Sequence, residues 1–177
     1  MQDLHSWTLE VIRKNSLDWI EPRREDWTPL LASKFALLLE GRPFLLFCDD
    51  ERAWFLDYFM SRVNRGKSRP HLPFFALSAL YPPLKEIQSK EDMQLLGDML
   101  NLAFPQGFVY FYIGSGKAEI SYIAKNKNDS YMWLIDEQLQ NGFTLNSKED
   151  AISKCLIDMF SLFDKSIDAV IFDEVML

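Results

Sequence analysis

Short continuous apolar runs alternate along the chain with longer stretches that follow helical spacing. Four runs read as strands, at residues 43–48, 72–78, 108–113 and 168–175, and "YMWLID" at 131–136 is a fifth. Their apolar positions are continuous rather than alternating, as expected of strands covered on both faces. Between them, Leu4, Trp7, Thr8, Val11 and Ile12 share one helix face, as do Trp27, Leu30, Leu31, Phe35 and Leu38. Gly41 and Pro43 end the second of these helices. Residues 52–64 are apolar nearly all round, with Phe55, Phe59 and Val63 on one stripe and Trp54 and Tyr58 on a neighbouring face. "SKED" occurs at 89–92 and again at 147–150, at the start of helical stretches at 90–104 and 148–164. Both copies match the capping box, in which a Ser oxygen accepts an orphan amide. Ile152, Cys155, Leu156, Met159, Phe160 and Phe163 form the stripe of the last helix.

The predicted order is two helices, then strand and helix in alternation, then a final strand. Alternation of this kind implies right-handed crossovers and a parallel sheet with helices on both sides. No linker long enough to divide the chain is visible, so residues 1–177 read as a single α/β domain.

Composition narrows the function classes. The net charge of −7 disfavours direct binding to nucleic acid or to anionic lipid, because neither backbone phosphates nor headgroups find enough Lys and Arg. The basic segment "RVNRGKSRP" (62–70) reads as a solvated loop. Aromatic residues reach 14%, which fits either a ring-rich core or interfaces with other subunits or partners. No apolar run approaches the ~20 residues of a membrane span, and the N-terminal stretch carries acids early, unlike a signal peptide. Cys48 and Cys155 lie in no metal or redox spacing and read as small core residues of a cytoplasmic protein. His5 and His71 have no nucleophile or carboxylate arrangement around them. No catalytic, cofactor or metal set is expected.

Two turns invite closer chemistry. "GSGK" at 114–117 follows an apolar run as a phosphate loop would. A Walker loop ending in Gly116-Lys117 would need glycine where Phe111 stands and a hydroxyl where Ala118 stands. A dinucleotide loop would need glycine at Glu119. What survives is a glycine turn able to cradle an anion or simply to reverse the chain. The other turn, after the first strand, carries Asp49, Asp50 and Glu51 at a helix start. Carboxylates there cap the amides themselves. Each opposes a phosphate at ~4 Å by about 4 kcal/mol in an effective dielectric of 20. Capping is preferred to a metal or acid–base role for these three.

"DDERAWFLDYFMSRVN", the Arg-Pro at 69–70, "LYP" at 80–82, "YMWLIDE" and the ending "LFDKSIDAVIFDEVML" together resemble the HobA family. The resemblance spans nearly the whole chain. It implies a three-layer α/β sandwich with a mainly parallel five-stranded sheet flanked by helices, SIS-like and flavodoxin-like. It implies a non-enzymatic regulator of replication initiation, similar in role to DiaA, that forms homotetramers. Its partner would be the N-terminal domain of the initiator DnaA, gathered in several copies at the origin. No family motif fixes the contact residues. Aromatic and Arg anchors dominate interfaces, which selects Asp49, Arg52, Trp54 and Tyr58 as candidate partner contacts. The competing reading is a sugar-phosphate-binding SIS-type domain using Ser115, Gly116 and Lys117.

Overall fold

A computed structural model of the chain describes residues 2–66, 68–148 and 151–177. Its centre is a sheet of five parallel strands: β2 (Phe44–Cys48), β3 (Phe74–Ala76), β4 (Val109–Ser115), β5 (Tyr131–Ile135) and β6 (Gly142–Leu145). The spatial order is β3-β2-β4-β5-β6. A separate two-stranded pair joins β1 (Gln2–Asp3) to β7 (Val175–Met176).

Period-two alternation along each strand creates two cores. Phe44, Leu46, Phe111 and Trp133 point to one face, where they meet α1 (Leu4–Lys14), α2 (Arg24–Leu39), α3 (Ala53–Arg62) and α7 (Ile152–Ile171). Leu45, Phe47, Tyr110, Tyr112 and Leu134 point to the other. There they meet α4 (Leu77–Leu80), α5 (Lys90–Ala103) and α6 (Ser121–Lys125). The result is three layers, helix–sheet–helix.

Most of the rings are core. Phe59 sits edge-on to Phe160 at 4.9 Å and to Phe111 at 5.6 Å, and Phe111 lies 4.6 Å from Tyr131. Such pairs add about 0.5–1.5 kcal/mol each beyond their buried area. Trp54, Phe75, Tyr122 and Phe172 are exposed, and Leu95, Met99 and Leu102 form an exposed i, i+4, i+7 stripe along α5.

Helix α5 starts as its sequence predicts. Ser89 Oγ accepts from the Asp92 amide at 3.0 Å, and the Asp92 carboxylate accepts from the Ser89 amide at 3.1 Å. The Ser89 hydroxyl, with the Gln88 and Ser89 amides, holds the Asp92 carboxyl below its ordinary range. Ser89→Ala should cost about 1 kcal/mol in chemical denaturation. A loss below a few tenths would mean that packing alone sets this helix start. The second capping box, at Ser147–Asp150, lies partly outside the described residues.

Three elements depart from the sequence expectation. The run 168–175 is not a strand of the main sheet: α7 continues through Ile171, and only Val175–Met176 is extended, beside β1. Phe163, Ile167 and Val170 carry the stripe of α7 onward at helical spacing, all buried against the same core. An eight-residue apolar run has no period of its own that excludes this. The fifth strand is instead β6. It follows β5 after only six residues (136–141), where a parallel connection ordinarily takes a dozen or more. An extended return replaces the crossover helix, tied where Thr144 Oγ1 donates to the Glu137 carbonyl at 3.0 Å. Finally, α3 is amphipathic rather than apolar all round. Phe55 and Phe59 are buried, while Ala53, Trp54, Asp57 and Ser61 face out.

The segment 62–70 is also less solvated than its charge suggests. Arg69 is buried, its guanidinium donating to Asp168 at 2.7 Å, to Asp164 and to the Val63 carbonyl. This ties the loop to α7. Among the described residues, no helix is long and apolar enough to cross a membrane.

Candidate functional site

The β3-β2-β4 order reverses direction at β2. Helix α3 leaves on one face and α4 and α5 lie on the other, so the C-terminal ends of β2 and β4 border the crevice where α/β sheets commonly bind ligands. Both turns singled out in the sequence meet there.

Asp49 follows β2 and caps the short 3₁₀ turn Asp50–Arg52, its Oδ1 accepting the Arg52 amide at 3.1 Å. Its other oxygen reaches across the sheet. Oδ2 accepts the Ser115 amide at 2.6 Å and the Arg52 guanidinium at 3.2 Å. Both side chains are nearly enclosed, 10% exposed for Asp49 and 12% for Arg52. A carboxylate that is capped, paired and hydrogen-bonded has no oxygen to offer a metal without breaking one of these contacts.

The glycine turn is equally occupied. Besides the Ser115 amide, the Gly116 amide donates to the Ile135 carbonyl at 3.1 Å. The Lys117 amide donates to Ser115 Oγ at 3.2 Å, and the Ala118 amide to the Ser115 carbonyl at 3.2 Å. A phosphate cradle needs such amides free. Here they are all engaged, and an acid of the chain stands where the anion would sit.

The two glycines are required by these neighbours. A Cβ on Gly114 would lie 2.6 Å from Asp49 Oδ2. One on Gly116 would lie 2.0 Å from Glu137 Oε2, whose carboxylate is paired with Lys125 at 2.6 Å. "GSGK" is therefore a turn built to admit two carboxylates, Asp49 and Glu137. Lys117 points outward and is exposed.

The four candidate contacts separate into two kinds. Asp49 and Arg52 hold each other and the turn. Trp54 is exposed on α3, edge-on to Phe55 at 5.5 Å. Tyr58 is half-buried: it stacks on Phe55 at 6.0 Å, meets Phe160 edge-on at 5.4 Å, and carries the Arg62 guanidinium 4.5 Å above its ring. Sequence reasoning did not single out Glu137, Asp57 or Glu119, all of which border this region. Spacing along the chain gives no signal for any of them.

The turn after β4 is thus filled by carboxylates of the chain itself. The family model for HobA, a DNA replication regulator, matches residues 1–177. The chain belongs to the HobA family. Its sequence is 26% identical over 188 residues to the DNA replication regulator protein HobA of Helicobacter pylori, covering all of both chains. The crystal structure of a HobA–DnaA (domain I–II) complex from Helicobacter pylori matches with a TM-score of 0.76 at 25% identity, covering all of both chains. HobA from the same organism, solved by crystallography, matches with a TM-score of 0.78 at 23% identity, over all of this chain and 99% of that one. The HobA fold is thus shared from end to end. The five-stranded parallel sheet expected from the HobA resemblance is present.

Proposed function

We propose that this chain regulates replication initiation without catalysis of its own, by binding the N-terminal region of DnaA and presenting several copies together. The observation that carries this reading is the solved complex of a HobA relative with DnaA domains I–II, whose HobA chain shares this fold over its full length. The engaged amides of the 114–118 turn support a protein ligand over a phosphate one.

The mechanism is multivalency. If the chain assembles as a homotetramer, initiators held on one assembly experience a raised effective concentration of one another, so weak single contacts cooperate on DNA. The scaffold's own net charge of −7 keeps it off the phosphate backbone. Such work belongs in the cytoplasm, where the initiator and the chromosome are.

Trp54 is the contact we assign first, because an exposed Trp on a rigid helix is the commonest kind of interface anchor. Calorimetry with the cognate DnaA domain I–II should detect a complex at tens of micromolar, and light scattering should give the mass of a tetramer. Trp54→Ala should weaken binding about tenfold, or about 1.4 kcal/mol. Lys117→Ala should leave it unchanged, and a panel of sugar phosphates should not shift the melting temperature. No complex with the wild-type chain would sink the reading. A sugar-phosphate shift lost in Lys117→Ala would favour the SIS-type alternative.

A further inference from the structure

The crevice beside Asp49 is not closed by the contacts that fill the glycine turn. Two adjoining clefts of about 280 and 310 Å³ share Cys48, Asp49, Asp50, Leu84, Lys85 and Ile120, and so form one opening. One wall is α3, with Ala53, Leu56 and Asp57. The other is the segment around Leu84 and Ile87, together with Glu119 and Ile120.

Its chemistry is apolar inside and acidic at the mouth. Leu56, Leu84, Ile87 and Ile120 supply the walls. Asp49 is paired to Arg52, and Asp50 to Lys85, which is the one cation among the lining residues. Asp57 and Glu119 are exposed, and among the described residues neither has an ion-pair partner. The cleft therefore faces solvent with an excess of negative charge. The half-buried Cys48 thiol feels it: burial first, then Asp49, Asp57 and Asp50, push its pKa up to about 12.

A phosphate or carboxylate ligand is repelled by this mouth. A small hydrated cation gains nothing from the apolar walls. Arginine fits both parts. Its stem lies on apolar surface, and its guanidinium is weakly hydrated and forks onto carboxylates. The surroundings also suit a protein as the source. Trp54, one helical turn before Asp57 on α3, and Leu80 at the end of α4 are both exposed. Exposed aromatic and aliphatic side chains beside an apolar cleft with a polar mouth are the kind of surface that anchors a protein partner.

We propose that this crevice receives an arginine side chain of the bound DnaA N-terminal region, its guanidinium drawn to the acidic mouth that Asp57 on α3 and Glu119 on the opposite wall supply. The proposal rests on the partner reading above and specifies where the partner inserts. The test is calorimetry of the full chain with cognate DnaA domain I–II at low and high salt. The variants are Asp57→Asn/Glu119→Gln and, as a control for overall charge, Asp173→Asn/Glu174→Gln at the C-terminal end of α7. The crevice variant should bind about tenfold more weakly at low salt, with a flatter salt dependence. The control should bind within about twofold of wild type. Both should melt with the wild type, since the substituted acids are exposed. Wild-type affinity in Asp57→Asn/Glu119→Gln overturns the crevice and leaves the partner reading standing. An equal loss in the control, or a loss with unchanged salt dependence, also overturns the crevice. Failure of the wild-type chain to bind at all overturns the partner reading, and the crevice assignment with it.

Discussion

Asp49→Ala should lower the stability of the chain by about 3 kcal/mol, the largest loss expected from any exchange at the crevice. Three contacts vanish together: the cap on the Arg52 amide, the bond to the Ser115 amide and the pair with the Arg52 guanidinium. A lost cap costs about 1 kcal/mol. Breaking an enclosed ion pair from one side costs about 3–5 kcal/mol, because the remaining charge is left without its partner. Arg52 keeps a contact to the exposed Glu51, which offsets part of this. For a chain of this length, about 3 kcal/mol corresponds to a fall in melting temperature of roughly 6–12 °C. A fall of less than about 2 °C would mean that Asp49 is not a structural staple. Asp49→Asn should fall between wild type and alanine. It keeps the volume, but presents an amide hydrogen toward one of the donors.

The second large effect is at Arg69. Arg69→Ala releases Asp164, Asp168 and the Val63 carbonyl at once, and detaches the 62–70 segment from α7. Both acids are partly exposed, so the cost is about 2 kcal/mol rather than the full value for a buried pair. The loss should depend on pH. Burial already raises the Asp164 pKa, Arg69 pulls it down, and Asp168 raises it. Removing Arg69 leaves only the raising causes. The folded variant then binds a proton more readily than the unfolded chain between the ordinary carboxylate value of about 3.9 and the higher folded one. Stability is gained as pH falls through the folded pKa and lost as it rises. The deficit relative to wild type should therefore be smaller near pH 5 than near pH 7. Melts at the two pH values decide it; an equal or larger deficit at the acid end would sink the account.

Much of the fold was legible because it is local. The runs around Phe44, Val109 and Tyr131 read as strands because they are short, continuously apolar and rich in aromatic and β-branched residues, as strands covered on both faces are. Ser89 and Asp92 cap a helix through bonds that never leave four residues. The misreadings share a cause. Ala169, Val170 and Ile171 are apolar in a row, and only the contact of Phe163, Ile167 and Val170 with one core shows that the row is helical. Gly142–Leu145 is too short to announce itself, and it follows β5 without the helix that usually separates parallel neighbours.

The site was half legible for the same reason. Of the three acids after β2 that were read as caps, Asp49 is one, accepting the Arg52 amide three residues away, whereas Asp50 and Glu51 pair with Lys85 and Arg52. The bond from Ser115, sixty-six residues further on, leaves no mark in the spacing. Neither does the carboxylate of Glu137 against Gly116. Trp54 and Tyr58 look alike on a helical wheel. Phe160, on a helix a hundred residues later, covers one and not the other.

The carboxylate of Asp49 has one more consequence. A fold that binds a free anion at this turn gains stability by mass action, as RT ln(1 + [L]/Kd), and so melts at a temperature set by its supply. In this chain the anion is the side chain of Asp49, just after β2, and its local concentration cannot be diluted. Folding is thereby uncoupled from the phosphate pool of the cell.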